Sequence, residues 1–405
     1  MLTVVVCGLV LLLGLPVWVF ALQMAMAVRP SARADVVPFV AGPNARPPIA
    51  VVIPAHNESR GIGPTLESIR PQLRSDDVLL VVADNCTDDT AEQARLHGAR
   101  VVERHNLAQR GKGFALDHGW KALGAESAAW DLFLFVDADC VVHPGTIDAL
   151  ATKAMQTGRP AQAMYLIFNG MSSPSPRQKL SEFAYIVNSH ARPLGFHRLG
   201  LPCNLVGSGM MFQRSLLSHV SLASGHLVED MQLGLTLAQR GLPPVFCPEG
   251  YVTSTFPEDD RSQETQRTRW EHGRLAIMTQ MLPKLLLRSV SGLDFRLLAM
   301  ALDTAVPPLT LLLMVQVLSV VLGLAVSLAT GEWLPAQLAL SMLALLLAAL
   351  VLAWHQYGRQ SISGADFAKA AAYVAWKIPL YVKFAVARQT EWVKTERKPG
   401  EHKEK

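Results

Sequence analysis

The chain has 405 residues, of which 50% are hydrophobic, 17% charged and 7% aromatic, and its mean hydropathy is +0.24. Soluble domains carry about 25% charge, so a disordered chain, which needs low hydrophobicity and high charge, is excluded; so are collagen-like and mucin-like chains, because 28 Gly and 25 Pro follow no period. A net charge of +4 is too small to point to nucleic acid, and five scattered cysteines without a CxxC pair suit a reducing compartment rather than a zinc site or a disulfide framework.

From Met1 to Val28 no residue is charged, and a bilayer needs roughly 20 apolar residues. The segment 1–28 reads as an uncleaved anchor. Ala25-Met26-Ala27 looks like a signal cleavage site, but no basic stretch precedes the apolar run, which exceeds the usual ~7–15 residues. Basic residues stay cytoplasmic, so Arg29 and Arg33 place the following domain inside the cell. A water-soluble domain is expected over 47–273, an interfacial helix over 274–296, and spans over 297–329 and 334–354; the first of these spans contains Pro307–Pro308 and one charge, Asp303. In 366–388, Lys369, Lys377, Lys383 and Arg388 fall within an arc of about 140° on a helix, which favours a helix in the membrane surface over a fourth span. A basic tail, 389–405, follows.

Within the soluble part, Ile49–Ile53, Val78–Ala83 and Leu132–Val136 are continuous apolar runs, the pattern of buried parallel strands. Helical stretches separate them, so the expected fold is α/β: a mostly parallel sheet with helices on both faces. Each run ends in polar residues: Pro54-Ala-His56-Asn57-Glu58, then Asp84-Asn-Cys-Thr-Asp88, then Asp137-Ala-Asp139. Ligands bind such sheets at the carboxyl ends of their strands. Asp and Asn are also ordinary caps and turn residues, yet three such ends in one sheet argue against coincidence. Asp137 and Asp139 can converge on one hard cation, Mg²⁺ or Mn²⁺, of the kind held by one or two carboxylates plus phosphate oxygens.

Four further stretches carry two readings each. Arg110-Gly-Lys112-Gly113 is a flexible basic segment suited to phosphate or a solvated turn, and Gly207-Ser-Gly209 is a tight turn bordering a sugar pocket, lacking the third glycine of a dinucleotide fingerprint. Glu229-Asp230 is either a helix start favoured by the dipole or a general base at a helix N-terminus. Gln266-Arg-Thr-Arg269-Trp270 is either an interfacial belt or a phosphate fork with a flat face for a sugar.

In this order and spacing, Val51–Glu58, Asp84, Asp137-Ala-Asp139, Glu229-Asp230 and Gln266-x-x-Arg269-Trp270 resemble the membrane-bound inverting family 2 glycosyltransferases: cellulose, chitin, hyaluronan and poly-N-acetylglucosamine synthases, with ceramide glucosyltransferases close by. The resemblance covers about residues 47–290 and implies a GT-A-type nucleotide-sugar domain with flanking transmembrane helices. It implies that Asp84 contacts the uracil of a UDP-sugar, with Pro54, His56, Asn57 and Glu58 beside the nucleotide, Lys112 near phosphate and Asp137 at the donor. Asp139 would bind the metal, Mg²⁺ or Mn²⁺. Asp230 would deprotonate the acceptor, and Glu229, Gln266, Arg269 and Trp270 would hold acceptor and diphosphate. Ala83 stands where the family usually places a first acid. The implied activity is inverting, metal-dependent hexosyl transfer at the cytoplasmic face of a bacterial inner membrane, building a β-linked exopolysaccharide or glycolipid on a carbohydrate or lipid acceptor, with a polysaccharide export partner where a polymer is made and no nucleic acid. The alternatives are a single-addition, ceramide-type glucosyltransferase and a catalytically silent scaffold or transporter subunit. A silent homologue would lose Asp139 or Asp230 first, and a transporter would carry ionisable residues in its spans.

Overall fold

The computed structural model of the protein describes residues 1–29, 46–124, 129–171, 173–257, 259–367 and 369–386; Arg33, Arg388 and the expected tail 389–405 lie outside them. Eight strands form one sheet: β1 (Ile49–Ala55), β2 (Val78–Asp84), β3 (Arg100–Arg104), β4 (Leu132–Phe135), β5 (Val141–Val142), β6 (Ala161–Phe168), β7 (Met210–Gln213) and β8 (Val245–Thr255). Their spatial order is β3-β2-β1-β4-β7-β6-β8-β5. The pairs β3/β2, β2/β1, β1/β4 and β6/β8 are parallel, while β4/β7, β7/β6 and β8/β5 are antiparallel. The fold is the α/β arrangement expected of a GT-A domain, with a mixed sheet.

The three apolar runs are β1, β2 and β4, and they form the buried centre of the sheet: Val52, Leu80, Phe133 and Phe135 are inaccessible to solvent. Complete burial on both faces is why they show no alternation. The other five strands escape an apolar-run reading. In β3, Arg-Val-Val-Glu-Arg is an edge strand, and β7 has only four residues. Leu116, Leu123, Leu217, Leu222 and Leu237 pack with Phe133, Phe135 and Phe212 into one core cluster.

By contact density the chain divides into a sheet unit, the described residues of Ser31–Ser172 and Cys203–Gly273, and a helical unit, those of Met1–Pro30, Ser173–Pro202 and Arg274–Arg388. The helical unit holds three helices long and apolar enough to cross a membrane: Leu2–Ala27, Leu309–Thr330 and Leu334–Gly358. The last two form a hairpin that turns at Gly331, whose φ of 76° suits glycine. Near that turn they approach so closely that a Cβ on Gly323 would lie 2.8 Å from the Pro335 carbonyl oxygen.

Three details differ from the pattern expected above. The 297–329 segment is two helices, Phe295–Ala305 and Leu309–Thr330, interrupted at Pro307–Pro308, because proline supplies no amide hydrogen and clashes with the preceding turn. Asp303 therefore precedes the candidate span; it pairs with the buried Arg192 at 2.7 Å and accepts from Gln23 at 2.6 Å. The 274–296 segment is likewise divided among the helices Asp260–Gln280, Leu282–Ser291 and Phe295–Ala305. In the helix Ala370–Val386, Lys377 is buried, its ammonium 5.1 Å from the Tyr373 ring centre, rather than lying on a solvated cationic face.

Candidate active site

The parallel strands β1, β2 and β4 end along one edge, so the loops 56–59, 85–90 and 136–140 meet there. Because β7 runs antiparallel to β4, with Met210 opposite Phe135, the loop entering β7 arrives at the same edge. That register brings Gly207-Ser208-Gly209 against Asp137: the Asp137 amide donates to Ser208 Oγ at 3.1 Å. Gln162 holds the loop from beneath, donating to the Ser208 carbonyl at 2.8 Å and accepting from the Val206 amide at 3.0 Å.

The first two loops are stitched together. Asn57 and Asn85 both adopt left-handed conformations, φ 53° and 54°, which Asn tolerates better than most residues. Asn57 exchanges hydrogen bonds with Thr87, at 3.0 and 2.7 Å. The Glu58 amide donates to Thr90 Oγ1 at 2.8 Å, and the Ser59 amide to Asp88 at 3.2 Å. Burial opposes ionisation of Asp88, but the bonds from Thr90 and Ser59 outweigh it and hold its carboxyl below the ordinary range. His56 Nδ1 lies 2.7 Å from the Asp84 carbonyl oxygen. Pro54 is part of β1, opposite Val82. The buried Asp84 carboxylate accepts from Arg104 at 2.6 Å and from Asn85 at 3.0 Å. Arg104 has no apolar context in the sequence to single it out; the β2/β3 pairing delivers it.

The acidic cluster lies on the β4 side. Lys112 forms an ion pair with Asp137 and donates to the Gly207 carbonyl at 2.7 Å. A Cβ on Gly207 would meet Asp230 Oδ2 at 3.2 Å, Lys112 Nζ at 3.6 Å and Asp137 Oδ2 at 3.9 Å, so the three charged groups converge over this glycine. Asp139 accepts from Ser254 of β8 at 3.0 Å. Ligand atoms of Asp137, Asp139 and Cys140 lie within 4.8 Å of one another. Glu229 and Asp230 begin the helix Glu229–Ala238, and Asp230 accepts from the Met231 amide at 2.8 Å. Arg269, on the helix Asp260–Gln280, faces all four carboxylates. Gln266 and Trp270 are half-buried, and Gln266 lies one turn before both Arg269 and Trp270.

The electrostatics follow from this crowding. Burial, then the neighbouring Asp230, pushes Glu229 up to about 7. Burial also raises Asp230 and Asp137, against the pull of Lys112. For Lys112 burial would favour the neutral amine, but Asp137, Glu229 and Asp230 together hold it above its ordinary range. Lys112 and Arg269 both lie in the field of Asp137, Glu229 and Asp230. Two hard oxygen donors in such a field fit a divalent cation.

Lys112 is thus set among carboxylates, and its flanking glycines serve a packing purpose. The helix Lys112–Ala122 starts under the loop 222–225, where a Cβ on Gly113 would lie 2.7 Å from the carbonyl oxygens of both Leu222 and Ser224. Gly207 and Gly113 are legible as glycines in the sequence; Ser254, Gln162 and Arg104 carry no comparable signal.

Several known proteins resemble the chain. Over 103 residues, 24% of this chain and 30% of the relative, it is 39% identical to glucosyl-3-phosphoglycerate synthase of Mycobacterium tuberculosis. Over 111 residues, 27% of this chain and 29% of the relative, it is 40% identical to 4,4'-diaponeurosporenoate glycosyltransferase of Staphylococcus aureus. The chain therefore spans about 30% of the length of these curated relatives. A mannosyltransferase of Pyrobaculum calidifontis, solved with GDP-Man and Mn²⁺, shares the fold at a TM-score of 0.54 and 18% identity, with 96% of this chain and 100% of that one covered. Residues 47–273 match the family described as glycosyltransferase like family 2, and with more than half its length inside that match, the chain belongs to this family of glycosyltransferases.

Proposed function

We propose that the protein transfers a hexose from a UDP-sugar to a hydroxyl acceptor with inversion at the anomeric carbon, at the cytoplasmic face of a membrane, forming a β-linked glycolipid or exopolysaccharide. The observation that carries this is the convergence of Lys112, Asp137 and Asp230 over Gly207, with Asp139 and Arg269 in the same charge cluster. Asp230 takes the acceptor proton as the acceptor oxygen bonds to the anomeric carbon. The bond from that carbon to the diphosphate breaks, and its electron pair leaves on the nucleotide. A hydroxyl attacks poorly until a carboxylate accepts its proton, and positive groups aimed at the developing charge lower the barrier. Arg269 and Lys112 occupy that role. Asp137 and Asp139 would hold Mg²⁺ or Mn²⁺, which when bound neutralises the diphosphate. Asp84, fixed by Arg104 and beside His56, Asn57 and Glu58, faces the nucleoside, and Glu229, Gln266 and Trp270 border acceptor and diphosphate. One displacement by one base turns an α-linked donor into a β-glycoside.

Single addition is the second reading, favoured because both curated relatives are named for glycosylation of one small acceptor rather than for a polymer. The test is purified full-length protein with a panel of UDP-sugars, with and without Mg²⁺ or Mn²⁺, reading UDP release and product anomer. Asp230→Asn is expected to lower turnover by about 10²–10⁴-fold while UDP still binds. Normal turnover in that variant, or an α-linked product, overturns the assignment.

A further inference from the structure

The turn that carries Asp137 and Asp139 is held from several sides within the sheet unit. The Asp137 amide donates to Ser208 Oγ at 3.1 Å, the Cys140 amide closes the turn onto the Asp137 carbonyl at 3.2 Å, and the buried Thr65 donates to the Ala138 carbonyl at 2.8 Å. These bonds fix backbone. Asp139 is met at the carboxylate itself: Ser254, only 6% exposed, donates to Oδ2 at 3.0 Å. Its place follows from register. The short β5 leaves the turn antiparallel to β8, with Val141 opposite Thr253 and Val142 opposite Val252, so one step further along β8 Ser254 lies beside the corner 139–140. Alternation sends Thr253 to the other face, where its hydroxyl lies 3.1 Å from His143 Nε2. Arg269 is a rival for the same carboxylate, since Asp139 is among the acids whose charge acts on that guanidinium. An Asp139 turned toward Arg269 would oblige an incoming cation to break an ion pair.

We infer that Ser254 is a positioning residue of the cation centre: its hydroxyl fixes the rotation of the Asp139 carboxylate and keeps it available, with Asp137, to a divalent ion. The inference rests on the metal-assisted transfer reading above and deepens it by naming what sets the affinity of that site. A carboxylate offers about four lone-pair positions; Ser254 occupies one and leaves the others to the ion. Partners that orient a ligand without touching the metal are typically worth about 10–100-fold in affinity. Because Thr65, Ser208 and the Asp137–Cys140 bond hold the turn independently, loss of the serine hydroxyl alters the carboxylate and leaves the backbone in place.

The experiment titrates Mn²⁺ alone into the metal-free, full-length protein in nonionic detergent, following the EPR signal of the free ion, with Asp139→Asn as the background that lacks the site. Ser254→Ala is expected to weaken Mn²⁺ binding by about 10–100-fold. Thr253→Ala, which removes a hydroxyl from the same strand but from its other face, is expected to bind Mn²⁺ like the parent. In turnover, the Mn²⁺ concentration for half-maximal UDP release should rise in Ser254→Ala by the same factor, and saturating Mn²⁺ should restore kcat. A merely structural serine gives another pattern, a kcat that stays low at every metal concentration. That pattern, an unchanged Mn²⁺ affinity in Ser254→Ala, or an equal loss in Thr253→Ala overturns the inference. Turnover by a parent protein that binds no Mn²⁺ also overturns it, and leaves the transfer reading standing. A parent that consumes no UDP-sugar, while Ser254→Ala still weakens Mn²⁺ binding, counts against transfer and not against Ser254.

Discussion

The most consequential single side chain beside the proposed base is Glu229. Its carboxyl sits in the first turn of a helix, where the dipole favours negative charge, yet burial and the adjacent Asp230 push it up to about 7 from an ordinary 4.5. Between those values the folded protein keeps a proton that the unfolded chain has already released. Stability therefore falls as pH rises through that window, by an amount on the order of 1–3 kcal/mol. Denaturation of the metal-free protein from pH 4.5 to 7 should show this decline, and Glu229→Gln should flatten it. An unchanged slope in the variant removes Glu229 as the cause. Asp84 shows the opposite design: its charge is matched by Arg104 at 2.6 Å, whereas Glu229 adjoins a second acid, Asp230.

Secondary-structure elements do their work here through close approach. The helix Lys112–Ala122 aims its lysine at Asp137 only because the chain before and within its first turn can pass under the loop 222–225. Gly113→Ala would set a methyl group 2.7 Å from two carbonyl oxygens, a distance that backbone must move to relieve, at about 1–3 kcal/mol. The melting temperature should drop and Lys112 should shift from Asp137, lowering activity with it. Gly124→Ala, where an added Cβ meets nothing within 4 Å, serves as the control and should melt like the parent protein. The three central strands were legible from apolar runs and the helix start at Glu229 from its paired acids, whereas the helix start at Lys112 read only as a basic segment or a turn. The edge strands were not legible, because Arg100–Arg104 pairs along one side only and needs little hydrophobicity to do so.

For the molecule as a whole, the candidate spans of the helical unit bear on its orientation in a bilayer. The described residues contain three candidates, and an odd number puts the two flanks of the bundle on opposite sides of a bilayer. With Arg29 after the first candidate span and Arg359 after the third, the positive-inside rule predicts that the segments following these two spans face the cytoplasm. A reporter joined after Lys405 should read cytoplasmic, and one placed before Leu2 should read external. Reversal of either signal would overturn the orientation and with it access to a cytoplasmic UDP-sugar.

The family, its α/β core and the acids that carry the proposed chemistry were written in local pattern, because a doubly buried strand must be apolar and a charge at its end must have a purpose. Partnership was not. That Arg104 answers Asp84, that Ser254 reaches Asp139, and that Lys112 is gripped by Asp137 and Gly207 rather than standing free depends on strand order, and an antiparallel β7 inserted beside β4 cannot be inferred from neighbouring residues. Likewise Asp303 looked like a lone charge in a span; folding moves it ahead of a proline break and sets it against Arg192. Local sequence specifies which groups are costly to leave unsatisfied, and long-range packing selects what satisfies them.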